Sequence, residues 1–352
     1  MPLAGVDDEF SATHAEHDSA RLHLDVLGRA SGDQSGDDMQ RAAPQCGPAG
    51  QQVGTIVVAQ AAQAVFQEIA RLEDELSRFR ASSDIYRLGQ LQAGESLLVG
   101  MAAWDCLSLA KAMHQETAGA FDITIGPLMS LFVTHEGEPR QVSKEVLAQA
   151  QTIIGSHRFD LDEETMRVTV HASNMIFDLG AMGKGYALDR AATLLRQRGI
   201  SNALINIGGN VMALGSKGEY PWRVGIQHPR EARPLASLPL RDGEAIGTSG
   251  DYQRFFELDG ERYCHLLDPR SGMPARGTQA VTVLITPRPG AGTLSDAASK
   301  PVYLAGSEWR MYAKRFGIDH ALRVDGDGRI EVSRALRDRL QFEQGLSATV
   351  VD

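Results

Sequence analysis

Between Asp178 and Asp189 the chain reads Asp-Leu-Gly-Ala-Met-Gly-Lys-Gly-Tyr-Ala-Leu-Asp, a glycine-rich run lying between extended sequence and an amphipathic helix. Glycines at a strand-to-helix junction let the backbone approach a ligand closely, and the free N–H groups of a helix start suit a phosphate. Lys184 adds a positive charge. The same glycines could instead make tight turns and nothing more. The run is not GxxxxGK[ST] and does not match GxGxxG closely, so neither a P-loop nor a Rossmann site is supported. A second glycine pair follows in Asn206-Ile-Gly-Gly-Asn210.

The surrounding pattern predicts an α+β fold. Val65, Ile69, Leu72, Leu76 and Phe79 recur at helical spacing, and a second helix is expected over Ala103 to Thr117. Met166 to Val170, Met175 to Phe177, Ala203 to Ile207 and Val281 to Ile285 read as strands, and Tyr186 to Arg198 as a helix closed by Gly199. Asp259-Gly260, between Phe255–Leu258 and Arg262–Leu267, is a two-residue hairpin signal. Residues 1–50, rich in Asp, Ser, Gly, Gln and His, are expected to be a loosely ordered extension. A single domain is expected over residues 51–340, and a tail over 341–352.

Composition excludes several classes. A formal net charge of -10 with no Lys/Arg stripe argues against nucleic acid as a partner. Three separated cysteines without CxxC point to neither zinc nor a disulfide framework, and favour a reducing compartment. The start lacks the basic and apolar regions of a signal peptide, and no stretch reaches the length of a membrane span. The expected location is cytoplasmic. Asp325-Gly-Asp-Gly328 lacks the bidentate acid of a calcium loop and reads as hairpin chemistry.

Further polar loops accompany the glycine run. Gly247-Thr-Ser-Gly-Asp-Tyr252 is one, and His265-Leu-Leu-Asp-Pro-Arg-Ser-Gly272 places a histidine and a carboxylate at a strand end. His265 alone reads as a core histidine. With Asp268 in a Pro-Gly turn three residues on, it becomes a candidate for chemistry.

The ordered series Asp178–Asp189, Asn206–Asn210, Thr248–Tyr252, His265–Gly272 and Ser295-Asp-Ala-Ala298 resembles the ApbE family of FAD:protein FMN transferases. Ala118 to Leu128, and Leu72 to Ile85 with Ser77 and Ser83, are similar to it too, so the likeness runs from Gly54 to Val332. The resemblance implies a two-lobed fold with a central mixed β-sheet, flanking helices, and FAD held between the lobes. It implies a reaction in which a Thr or Ser hydroxyl of an acceptor flavoprotein attacks the FMN phosphorus and AMP leaves. By position, Asp178, Gly180, Lys184, Tyr186, Asp189, Gly208, Gly209, Thr248, Ser249 and Gly250 would line the dinucleotide site. His265 would be the general base, with Asp268 supporting its loop. The family uses magnesium, and Asp296 is the matching metal ligand.

The chain departs from the family where Asp-Ala-x-Ala-Thr is expected, since the run is Asp296-Ala-Ala-Ser-Lys300-Pro301. A protonated ammonium cannot ligate a metal and repels a divalent ion, which puts magnesium in doubt. Ser299 could restore a hydroxyl if the register shifts by one. Lys300 could replace the metal against the diphosphate, or pair with Asp296 on a helix surface; Pro301 disfavours a regular helix there. Gly89 and Val53 stand where the family has Asn and Met beside the flavin. FMN transfer is the leading expectation; FAD hydrolysis and FAD binding without turnover are the alternatives.

Overall fold

The computed structural model describes residues 9–13, 22–27, 48–132, 140–252, 255–258 and 261–352. Nine helices are described: α1 (Pro48–Leu76), α2 (Asp84–Gly89), α3 (Met101–Glu116), α4 (Gly126–Phe132), α5 (Lys144–Gln151), α6 (Gly183–Gln197), α7 (Ala291–Leu304), α8 (Trp309–Arg315) and α9 (Arg334–Arg337). They flank a nine-stranded sheet. Its order is Glu9–Thr13, Leu22–Leu27, Ala203–Ile207, Asn210–Leu214, Ala245–Gly250, Thr278–Ile285, His320–Asp325, Ile330–Ser333 and Ala348–Val351. Neighbours are antiparallel except the last pair, which is parallel, so the sheet is mixed as expected.

Side-chain alternation along each strand divides two cores. Ile205, Ile207, Met212, Val281, Val283 and Ile285 point to the face covered by helices α6 and α7, within the larger cluster. Val211, Ala213, Ala280, Leu284, Leu322 and Val324 point the other way, against a three-stranded sheet containing Trp222–Gln227 and Pro234–Leu240. The sheet is therefore buried on both sides. A smaller sheet of Ser96–Leu98, Arg167–Val170 and Phe159–Asp162 adds Phe159, Val168 and Val170 to the larger cluster.

The helical periodicity near residue 65 is real, since Val65, Leu72 and Leu76 are buried. Phe79 is a correction: α1 ends at Leu76, and Phe79 beyond it is 79% exposed with Arg78 stacked on its ring. Met175–Phe177 is another, because it forms only one bridge, Ile176 to Ile125, after Asn174 takes φ 62°. Pro301 does not break the chain's helix either. It lies inside α7, whose Asp296 carbonyl accepts from Ser299 Oγ at 2.7 Å and Lys300 Nζ at 2.9 Å.

Glu9–Thr13 and Leu22–Leu27, within the expected extension, pair into the sheet; the rest of residues 1–47 lies outside the described residues. Residues 341–352, expected as a tail, supply Gln341–Phe342 and Ala348–Val351 to the two sheets. Phe255–Leu258 pairs with Glu261–Cys264, while Asp259-Gly260 itself lies outside the described residues. Asp325 closes its hairpin by accepting from Asp327 N and Arg329 N.

Three helices begin without a side-chain cap of their own and are capped from elsewhere in the chain. Glu75 of α1 accepts from Ala102 N and Ala103 N at the start of α3. Asp189 of α6 accepts from Gly292 N (2.8 Å) and Thr293 N (2.7 Å) at the start of α7. Asp296 of α7 accepts from Gly185 N (3.0 Å) at the start of α6. Helices α6 and α7 thus cap each other, which satisfies donors that a helix start leaves open.

Candidate active site

That reciprocal contact depends on two glycines. A Cβ at Gly185 would sit 2.3 Å from Gly292 O and 2.8 Å from Asp296 Cβ; one at Gly292 would sit 2.7 Å from Gly185 O. Part of the glycine-rich run therefore serves helix packing rather than a ligand. Gly183, by contrast, faces open space at the same helix start.

Asp296 is 1% exposed and sits among cations. Lys300 Nζ, from one turn along α7, bonds its Oδ1, and Lys184 Nζ of α6 stands 3.6 Å from its Oδ2. Burial opposes the charge on Asp296, but the two ammonium groups outweigh it and hold the carboxyl below its ordinary range. Burial pulls the Lys300 ammonium down to about 8, with Lys184 acting in the same direction and Asp296 against it. Asn210, 2% exposed, faces the same carboxylate and also favours its ionised form. Two ammonium groups against one carboxylate leave one formal positive charge, added to the positive end of α6.

The other expected residues divide. Ser249 reaches this cluster, its Oγ lying 2.7 Å from Ser299 Oγ. Gly180 accepts weakly from Lys184 at 3.4 Å, and its N–H donates to Asp178 Oδ1 at 2.7 Å. Asp178 Oδ2 pairs with Arg78 at 3.3 Å, a residue that sequence reasoning passed over although it stands beside Ser77. Thr248 lies apart from that cluster. Strand alternation turns it from Ser249 to the opposite face of the sheet, where it meets Thr282 Oγ1 at 2.9 Å.

Tyr186 and Asp189 are held by α3 and α7. Tyr186 donates to Asp105 of α3 at 2.8 Å, and burial raises its phenol above the ordinary range. Asp189 gives both oxygens to α7 and also accepts from Thr293 Oγ1 at 2.6 Å. Gly208 and Gly209, at φ 57° and 90°, form the two-residue turn between paired Ile207 and Asn210. Only glycine tolerates both angles cheaply. Their turn is tied by Gly209 N donating to Asn206 Oδ1. A Cβ on Gly250 would strike the Tyr252 ring at 2.4 Å.

His265 is half-buried, with Nδ1 3.9 Å from Cys264 Sγ. Asp268 is held by Arg270 through Nε (2.9 Å) and Nη2 (2.7 Å), and Arg270 continues to Tyr312 OH at 3.1 Å. Asp268 therefore stiffens the loop through an arginine clamp.

A mixed sheet with an anion-favouring cluster between two mutually capping helices can be compared with known proteins. A model of the ApbE family matches residues 50–322. The chain belongs to the ApbE family. It is 35% identical to an FAD:protein FMN transferase of Rhodobacter capsulatus over 74% of this chain and 50% of that protein. It is 36% identical to one of Klebsiella pneumoniae, over 64% of this chain and 70% of that protein. The chain thus spans about half the length of the Rhodobacter relative. Among solved structures it resembles the ApbE protein of Thermotoga maritima, with 29% identity, a TM-score of 0.77, and coverage of 94% of this chain and 99% of that one. It also resembles the flavinyl transferase ApbE of Pseudomonas stutzeri in its apo form, with 25% identity, a TM-score of 0.76, and coverage of 97% and 98%.

The residues of this ApbE-family chain do not fit the magnesium expected at Asp296. One carboxylate oxygen is bonded by an ammonium and the other by a backbone N–H. A cation seated there would have to displace Lys300 and face Lys184. Among the described residues, no group of three or more His, Cys, Asp or Glu converges to hold a metal. No helix among them is long and apolar enough to cross a membrane.

Proposed function

We propose that this chain is an FAD:protein FMN transferase, moving FMN from FAD to a Thr or Ser hydroxyl of an acceptor flavoprotein. The observation that carries the reading is the net-positive Lys184–Asp296–Lys300 cluster at the start of α6, an arrangement suited to a diphosphate, within an ApbE fold. The naming of the Rhodobacter and Klebsiella relatives supports it.

In the proposed reaction the acceptor oxygen forms a bond to the FMN phosphorus. The phosphorus–oxygen bond to the AMP phosphate breaks, and AMP carries away the electron pair. His265 takes the hydroxyl proton, and the Arg270–Asp268 clamp fixes the loop that carries it. Phosphoryl transfer depends on positioning and charge neutralisation more than on covalent help, so fixed ammonium groups and one base suffice. No step is assigned to a metal. Buried free thiols at Cys106 and Cys264 support a reducing, cytoplasmic setting.

Incubation with FAD and a flavoprotein bearing a target Thr or Ser tests the reading. The expected products are a fluorescent, denaturation-resistant flavoprotein and an equal amount of AMP. Release of FMN and AMP with no labelled acceptor would assign hydrolysis instead, and retention of intact FAD would assign binding alone.

A further inference from the structure

The family's metal and this chain's residues disagree at one place, and the geometry there says what stands in for the ion. The Lys300 ammonium has three N–H donors. Two are spent on Asp296, on its Oδ1 and on its backbone carbonyl. The third has no partner among the described residues, and the side chain is 14% exposed. Lys184, 31% exposed on the facing helix, stands at the other carboxylate oxygen.

We propose that the Lys300 ammonium, seated on Asp296 and seconded by Lys184, replaces a divalent cation at the diphosphate of a bound dinucleotide, so that this chain binds FAD without divalent metal. The inference rests on the reading of this cluster as part of an FAD site. Asp296 is then not a metal ligand but the anchor that fixes Lys300. Its own charge is cancelled by one lysine while the other supplies the excess. Replacing a divalent ion by an ammonium lowers the local charge by one, and the directed N–H donors and the start of α6 offset part of that loss. The buried Ser249–Ser299–Asp296 chain of hydroxyls, with Ser299 donating to Asp296 O, holds the same turn of α7 in place.

The test is FAD titration by quenching of flavin fluorescence, with protein freed of metal, in EDTA and in magnesium. Wild-type affinity is expected to stay within about twofold between the two conditions. Lys300→Met should weaken FAD by about ten- to a hundredfold in both, the scale of a lost hydrogen bond to a charged group. Lys300→Thr should bind weakly in EDTA and recover with magnesium. Mn2+ titrated with ADP should show the same free-ion paramagnetic signal with wild-type protein as without protein, whereas Lys300→Thr should diminish it further. Wild-type FAD binding that collapses in EDTA, or wild-type protein that takes up Mn2+ stoichiometrically, overturns the inference and leaves the transferase reading standing. Absence of FAD binding under both conditions overturns both. If Lys300→Met does not fold, the wild-type and Lys300→Thr titrations decide alone.

Discussion

Helices α6 and α7 each contribute one aspartate to the start of the other, yet the two carboxylates live in opposite electrostatic worlds. Asp189 is bound by neutral donors: two backbone N–H groups and the Thr293 hydroxyl. Burial dominates there and pushes its carboxyl above the ordinary value. Asp296 receives one neutral N–H and two ammonium groups, and is held below that value although it is the more buried of the two. A cap needs only donors. The second charge beside Asp296 exceeds what capping requires, and it is the charge that the proposed diphosphate site uses.

The largest break in this comparison is Asp296→Ala. It strands Lys300 and Lys184 without their counter-charge, and removing one partner of a buried pair costs about 3–5 kcal/mol. Denaturant unfolding should read that loss, and FMN transfer should vanish, since Lys300 loses its anchor. Asp189→Ala should cost about 1–2 kcal/mol, the scale of a lost cap. Measured on folded protein, its FAD affinity should move far less than that of Asp296→Ala. Equal losses of affinity would mean that Asp189 belongs to the ligand site after all. Ser299→Ala, which removes a donor to the Asp296 carbonyl and the partner of Ser249, should cost about 1 kcal/mol in the same unfolding measurement.

The sequence showed the parts of this arrangement but not their pairing. Periodicity exposed α1, α3 and α6, and alternation exposed the strands, because both signals are local. Gly185 is plainly a glycine in the sequence, but its reason, contact with Gly292 and Asp296, spans 111 residues to the latter. The capping role of Asp189 is hidden for the same reason: its donors come from a helix far along the chain. Thr248 and Ser249 are adjacent in sequence and were grouped, although a strand sends neighbours to opposite faces. Pro301 argues against a helix, yet α7 runs through it, because the packing of that helix on the sheet is not a local signal. Lys300 itself is legible, since it breaks a motif, and an i,i+4 surface pair with Asp296 is one of the two readings its position allows. Burial of that pair is not legible, because no local pattern reports what packs over it.

The smallest effect is the most discriminating, because the two aspartates should respond to acid with opposite signs. A carboxyl raised by folding binds its proton more readily in the folded state, so its stability contribution is fully present below the unfolded value near 3.8 and is lost as pH rises through the folded one. For Asp189, the melting temperature of wild type relative to Asp189→Asn should therefore climb as pH falls from neutrality toward 4. A carboxyl lowered by folding contributes above 3.8 and loses that contribution as pH falls through its folded value. Wild type relative to Asp296→Asn should accordingly stay level over the same range and decline only in stronger acid. A decline for Asp189 on mild acidification would mean that a cation holds it ionised, and the asymmetry between the two helix starts would be gone.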